Sequence, residues 1–232
     1  DVRFNGFNER WKLGRVEFRG GQYFFVNPNV YSVPPGSPLT LAGVEPGTIA
    51  RAATMFHQGL TFDTALCERW HSQAIADIQL FRNPNLIALT SHPNGFAATL
   101  NPAIGLMLSG PAPGTGNATT SSTNAILAAP HYQVARAAYK LDANRIFGNA
   151  RLPLTWSVQV SRNVGASQLR DAIMTTLIVG RTQEKGDIRG LYTFAIKDAN
   201  SMISQLTDDD LGTTVTTNIA THHFRLDYAL RR

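Results

Sequence analysis

The feature that most constrains this chain is strict alternation. In residues 185–198, KGDIRGLYTFAIKD, Ile188, Tyr192, Phe194 and Ile196 fall on one side with Gly190 among them. Asp187, Arg189, Thr193 and Lys197 fall on the other, with Leu191 and Ala195 filling in. A period of two places successive side chains on opposite faces of a strand. Such a strand has one apolar and one wet side. What the apolar side touches, a protein core or lipid, decides the class of protein.

The same pattern recurs. In LPLTWSVQVSRN, Leu154, Trp156, Val158 and Val160 oppose Thr155, Ser157, Gln159 and Ser161. In IATHHFRLDYALRR, His222, Phe224, Leu226, Tyr228 and Leu230 oppose His223, Arg225, Asp227 and Arg231. LRDAIMTTLIVG is apolar on both sides, relieved by Thr175 and Thr176, and the polar RTQEKG after it predicts a hairpin into Ile188. HYQVARAAYKLD is a weaker strand. RWKLGRVEFRGGQYFFVNPN reads as one patterned segment: Leu13 breaks the rule, Val16 and Phe18 oppose Arg15, Glu17 and Arg19, and Gly20-Gly21 predicts a kink or bulge. Asn27-Pro28-Asn29 ends that segment as Asn83-Pro84-Asn85 ends a later one.

Between these lie two poorly patterned stretches. Residues 27–59 read as a long Pro-rich loop, because Pro34, Pro35, Pro38 and Pro46 deny it a long helix or a central strand. Within it IARAATMFHQGL permits a short helix closed at Gly59. Residues 86–130 are rich in Gly, Ala, Ser and Thr and read as a long loop or inserted plug. In LTFDTALCERWHSQAIADIQLFRNPN, Ala74, Ala76, Ile78 and Leu80 alternate with Gln73, Asp77 and Gln79, which favours a strand over a helix.

Composition narrows the function. Charged residues are 16% of the 232, against about a quarter in typical soluble domains. The net charge of +5 comes without a Lys/Arg-dense run, so no nucleic-acid partner is expected. No apolar run reaches the length of a membrane-spanning helix, which leaves strands as the only way across a bilayer. The single cysteine excludes an intrachain disulfide and a multi-Cys zinc site. Cys67 and His71 have helical metal-ligand spacing but no second pair to complete a site, and Asp208-Asp209-Asp210 lacks the spacing of an EF-hand. Asn117-Ala118-Thr119 matches a glycosylation sequon. SGPAPGTG lacks the Lys-Ser/Thr ending of a phosphate loop, and no nucleophile–base constellation stands out. Neither an enzyme, a metal nor a cofactor is expected.

Three features favour lipid over a core. The good strands run about 10–12 residues, enough to cross a bilayer at a tilt, where soluble strands average about 5–6. Short turns and long loops alternate in the C-terminal part. Charges collect on one side of each strand, and Trp156, Tyr192 and Tyr228 suit an interfacial girdle. The run from LTWSVQVSRNVGA through EKGDIRGLYTFAIKDANSMISQLTDDDLG to THHFRLDYAL resembles the C-terminal half of a porin family of bacterial outer-membrane β-barrels. That resemblance covers about the last eighty residues. It implies a transmembrane antiparallel β-barrel in the bacterial outer membrane that passes small solutes.

The expected fold is therefore all-β, a single barrel domain over 1–232. The chain opens at Asp1 without a signal peptide and ends DYALRR rather than on an aromatic residue, as a fragment of a longer barrel would. The expected pore-lining residues are Arg15, Glu17, Arg19, Gln159, Asp187, Arg189, Lys197, His223, Arg225, Asp227 and Arg231. Bases outnumber acids among them, which predicts a mild anion preference. The expected partners are outer-membrane lipid and small solutes or ions, with a homotrimer or a larger envelope assembly left open. The rival readings are a soluble or surface-exposed β-sandwich that binds a ligand or partner through its long loops, and a structural envelope protein.

Overall fold

The computed structural model describes residues 5–26, 32–33, 47–48, 51–91, 127, 129, 131–203 and 217–230. It is all-β with one short helix. Nine strands form one antiparallel sheet in the order β1 (Asn5–Leu13), β2 (Val16–Val26), β5 (Ala53–Ala65), β6 (Trp70–Arg82), β7 (Gln133–Ala143), β8 (Leu154–Asn163), β9 (Asp171–Gly180), β10 (Ile188–Lys197) and β11 (Ile219–Tyr228). A two-residue pair, β3 (Ser32–Val33) with β4 (Gly47–Thr48), stands apart. Helix α1 (Pro84–Ser91) follows β6. The sheet is open: β1 and β11 are its edges, and no closure into a barrel is seen among the described residues.

Four expectations change. The segment from Trp11 to Val26 is two strands: Leu13 pairs with Val16 across a two-residue turn, in which Gly14 supplies the positive φ of 60° that a tight hairpin of this twist requires. Gly20-Gly21 runs through the ladder in register, and the irregularity lies between Phe24 and Val26. The stretch read as loop up to residue 59 is strand from Ala53 onward, so the short helix ending at Gly59 is absent. The reason is pairing: residues 53–65 lie between β2 and β6, and ladders on both sides override weak local patterning. The opening of the 86–130 segment is helical, because Pro84 sits where a missing N–H costs nothing and Leu86 donates back to Asn83. The rest of that segment, the sequon and Asp208–Asp210 lie outside the described residues, except for Leu127 and Ala129.

Sequence intervals between neighbouring strands sort by end. At one end they are 14–15, 66–69, 144–153 and 181–187; at the other, 27–52, 83–132, 164–170 and 198–218. Among the described residues the apolar core sits at the second end. Ala53, Ile87, Leu127, Ala129, Tyr132, Ala166 and Ile203 bury one another there, with Phe25 and Phe81 stacked at 6.2 Å beside them. Burial pushes the Tyr132 phenol well above its usual pKa. Asn163 clasps the same end. Its Oδ1 accepts from the N–H groups of Gln133 and Gly165, and its Nδ2 donates to the carbonyls of His131 and Asn200.

Candidate functional site: the charged face of the sheet

Residues directly opposite in an antiparallel ladder share a face. Following the register from strand to strand therefore assigns every side chain to one of two faces. One face carries Trp11, Phe18, Leu60, Ala76, Ala137, Val160, Ile173 and Ile196 in a single row across eight strands. The next row toward the short-turn end reads Leu13, Val16, Phe62, Ala74, Tyr139, Val158, Thr175, Phe194 and His222. The opposite face carries Arg10, Lys12, Glu17, Arg19, His57, Asp63, His71, Asp77, Arg136, Lys140, Asp142, Arg189, Lys197, His223, Arg225 and Asp227, spaced by Thr, Ser and Gln.

Burial is inverted relative to a soluble sheet. On the apolar face Trp11 is 70% exposed, Phe224 74% and Leu226 77%. On the charged face Glu17, Asp77, Thr193 and Lys197 are all buried. A soluble antiparallel sheet buries its apolar side and wets the other. Here the sheet encloses the polar side and displays the apolar one.

The charged face is organised by sharing. Glu17 lies between Arg10 (2.5 Å) and Arg19. Asp77 takes both Nε (2.8 Å) and Nη2 (2.5 Å) of Arg136, with His57 at 3.9 Å. Asp142 receives Lys140 (2.8 Å) and the Thr155 hydroxyl (2.6 Å); Asp63 pairs with His71. Asp227 is held between Arg189 (2.7 Å) and Arg225 (2.8 Å). In each of the Glu17, Asp77 and Asp227 clusters the acid is the better buried partner. The Arg10 side chain is 64% exposed over a Glu17 side chain at 6%. The outermost layer of these clusters is therefore cationic, with the acids beneath it.

The structure places the sequence-derived candidates unevenly. Glu17, Arg19, Gln159, Arg189, Lys197, His223, Arg225 and Asp227 share this face. Arg15 does not: it occupies the β1–β2 turn. Asp187 is a turn anchor. It precedes β10, is 2% exposed, and its Oδ2 accepts from the backbone N–H groups of Glu184 (2.9 Å) and Gln183 (3.1 Å) and from Arg181 Nε (3.1 Å). Those bonds, above all the one from Glu184, and the nearby Arg181 and Arg151 hold its carboxyl below the usual carboxylate range. Arg231 lies outside the described residues.

Arg10, Lys12, His57, Asp77, Arg136, Lys140 and Asp142 belong to the face and were missed. For Arg136, Lys140 and Asp142 the signal was present, since they alternate with Tyr139 and Leu141. Cys67 lies exposed in the β5–β6 turn, away from any ligand partner, and no cluster able to hold a metal occurs among the described residues. No helix among them is long and apolar enough to cross a membrane. Comparison with protein-family models, curated proteins and solved structures gave no match.

Proposed function

We propose that this sheet is the wall of a transmembrane β-barrel in the bacterial outer membrane, porin-like, whose charged face lines an aqueous passage for small hydrophilic solutes and ions. The single observation that carries the reading is the inverted burial. A sandwich would need a second layer over the apolar face, and among the described residues none covers it. Dimensions agree. Strands of about 10 residues span roughly 33 Å, which projects to roughly 23 Å at a 45° tilt, close to the apolar band of such barrels. The three longest intervals, 27–52, 83–132 and 198–218, share one end, which agrees as well. β1 and β11 run in the same direction, so antiparallel closure takes an odd number of further strands from outside the described residues.

The mechanism is passive: size exclusion plus the field of the lining, with no catalytic step and no cofactor. Because the cations overlie the acids, the field at the passage wall favours anions mildly. The test is expression behind a signal peptide, fractionation, a heat-modifiability gel, and bilayer recording under a salt gradient. Outer-membrane recovery, faster migration unboiled than boiled, and a reversal potential on the anion side support the reading. Release as a soluble monomer without detergent sinks it.

A further inference from the structure

Two rungs of the β1–β2 hairpin put four charges side by side on the charged face. Arg10 stands directly opposite Arg19, and Lys12 directly opposite Glu17. Like charges directly opposite destabilise a ladder, so a doubly cationic rung needs a reason. Glu17 offsets part of it, taking Nη2 of Arg10 and Nε of Arg19 while lying buried beneath them. Each guanidinium still has more N–H donors than one shared carboxylate can take. Lys12 has no ion-pair partner among the described residues and, like both arginines, is exposed.

The groups around this square do not cancel its excess. On the β5 side the facing residues are Gly59 and Thr61. Beyond them Asp77 is taken by Arg136, with His57 beside it. The rung away from the turn is Asn8 and Gly21. Toward the turn lie Arg15 and Asp63, and Asp63 pairs with His71. Glu9 belongs to the opposite face. Three cations against one carboxylate leave two positive charges, whereas Arg189 and Arg225 against Asp227 leave one. The excess is held within roughly 7–8 Å, the reach of diagonal neighbours across a ladder.

We propose that this square binds a phosphate group, free or carried on a small solute, its oxygens shared by Arg10 and Arg19 and its second charge met by Lys12. The inference rests on this face lining an aqueous passage, and it adds a saturable station to that passage. Arginine forks match the oxygens of phosphate and carboxylate alike. Two positive charges so close together select a group that carries two negative ones on a single centre. A monocarboxylate supplies one charge, and a dicarboxylate spreads its two along a carbon chain.

The test is isothermal titration calorimetry of the purified full chain in detergent at about pH 8, where a phosphate ester carries both charges. Inorganic phosphate, glycerol phosphate and acetate are the probes. The expected result is saturable binding of inorganic phosphate at least roughly tenfold tighter than of acetate. Arg10→Gln and Lys12→Gln should each weaken it roughly tenfold, the worth of one charge-assisted hydrogen bond. Glu17→Gln, which removes the competing carboxylate, should tighten it, a result that a merely structural role of Glu17 would not give. Lys185→Gln removes the same charge from the 181–187 turn and should leave binding unchanged. Glycerol phosphate binding alongside inorganic phosphate assigns an esterified ligand, and its failure to bind assigns the free ion; either supports the site. Absence of saturable phosphate binding by the unmodified chain overturns the proposal, whether or not the variants fold, and so does equal binding of phosphate and acetate. Equal losses in Lys12→Gln and Lys185→Gln overturn it as well, because general attraction then suffices. A chain that inserts and conducts but binds no phosphate loses this site alone. A chain released as a soluble monomer loses the passage reading, and the titration still decides the site.

Discussion

The two faces of the nine-stranded sheet share every backbone bond and differ only in parity, yet they have opposite burial. Val158 and Gln159 are neighbours in β8; one joins the row of Tyr139, Thr175 and Phe194, the other the row of Glu17, Thr61 and Met174. The apolar face is displayed and, among the described residues, carries one ion pair, at its rim. The charged face is enclosed and holds its acids beneath its bases. The difference teaches that parity alone gives the two faces opposite surroundings, which on the proposed reading are hydrocarbon on one side and confined water on the other.

The strongest way to break that comparison is to put the same charge on each face. Val158→Arg should cost about 2–4 kcal/mol in a bilayer, and Gln159→Arg well under about 1 kcal/mol. Equilibrium unfolding from lipid vesicles measures both, and equal costs would remove the distinction between the faces.

Next is a position on the charged face, opposite Arg189, whose constraint is its backbone. Gly180 closes β9 with φ 89°, and a Cβ there would sit 2.0 Å from the Ile188 carbonyl oxygen. Gly180→Ala should cost about 1–3 kcal/mol whichever solvent the faces meet. The same unfolding assay reads it, and a neutral result would mean that the 181–187 turn tolerates rebuilding.

Asp77 tests whether the charged face is wet. Breaking a dry buried pair costs about 3–5 kcal/mol, whereas a pair beside water is worth under about 1 kcal/mol. Asp77→Asn should therefore destabilise by only about 1 kcal/mol while moving the reversal potential further toward anions, because Arg136 loses its counter-charge. A loss near the dry value, without a shift in potential, would mark a closed core.

The smallest effect concerns the Asp187 turn. Its carboxyl titrates below the ordinary value in the folded state, so its contribution is fully present above the unfolded pKa of about 3.9 and is lost as pH falls through the lower folded value. Acid titration of the unmodified chain and Asp187→Asn should show a stability gap at pH 6 that closes below about pH 4. A gap that persists at low pH would assign the turn's stability to packing.

How far the sequence could be read follows from this geometry. Strands β8, β10 and β11 were legible because their apolar residues keep parity over the whole length. β5 was not: Gln58 and Thr64 stand on its apolar face and Gly59 on its charged one, so alternation is blurred. Its strand state comes from neighbours distant in sequence, which no local pattern reports. Arg15 was misplaced because the parity of Glu17 and Arg19 was extended back past Val16, where β2 begins, into the two-residue turn. Asp187 kept its parity, but its carboxylate folds back onto turn N–H groups, a choice visible only in the closed loop. Alternation alone did not disclose the exposed apolar face, since it is the same whether the apolar side meets a core or lipid; strand length and low charge were the signals that pointed to exposure.

The most direct measurement is a nitroxide scan of residues 156–161 in β8, one label at a time, in a Cys67→Ser background in lipid bilayers. If the apolar face touches lipid, labels at 156, 158 and 160 are accessible to oxygen and shielded from a water-soluble nickel complex. Labels at 157, 159 and 161 then show the reverse. Loss of that alternation, or even positions shielded from both reagents as in a packed core, would contradict the account.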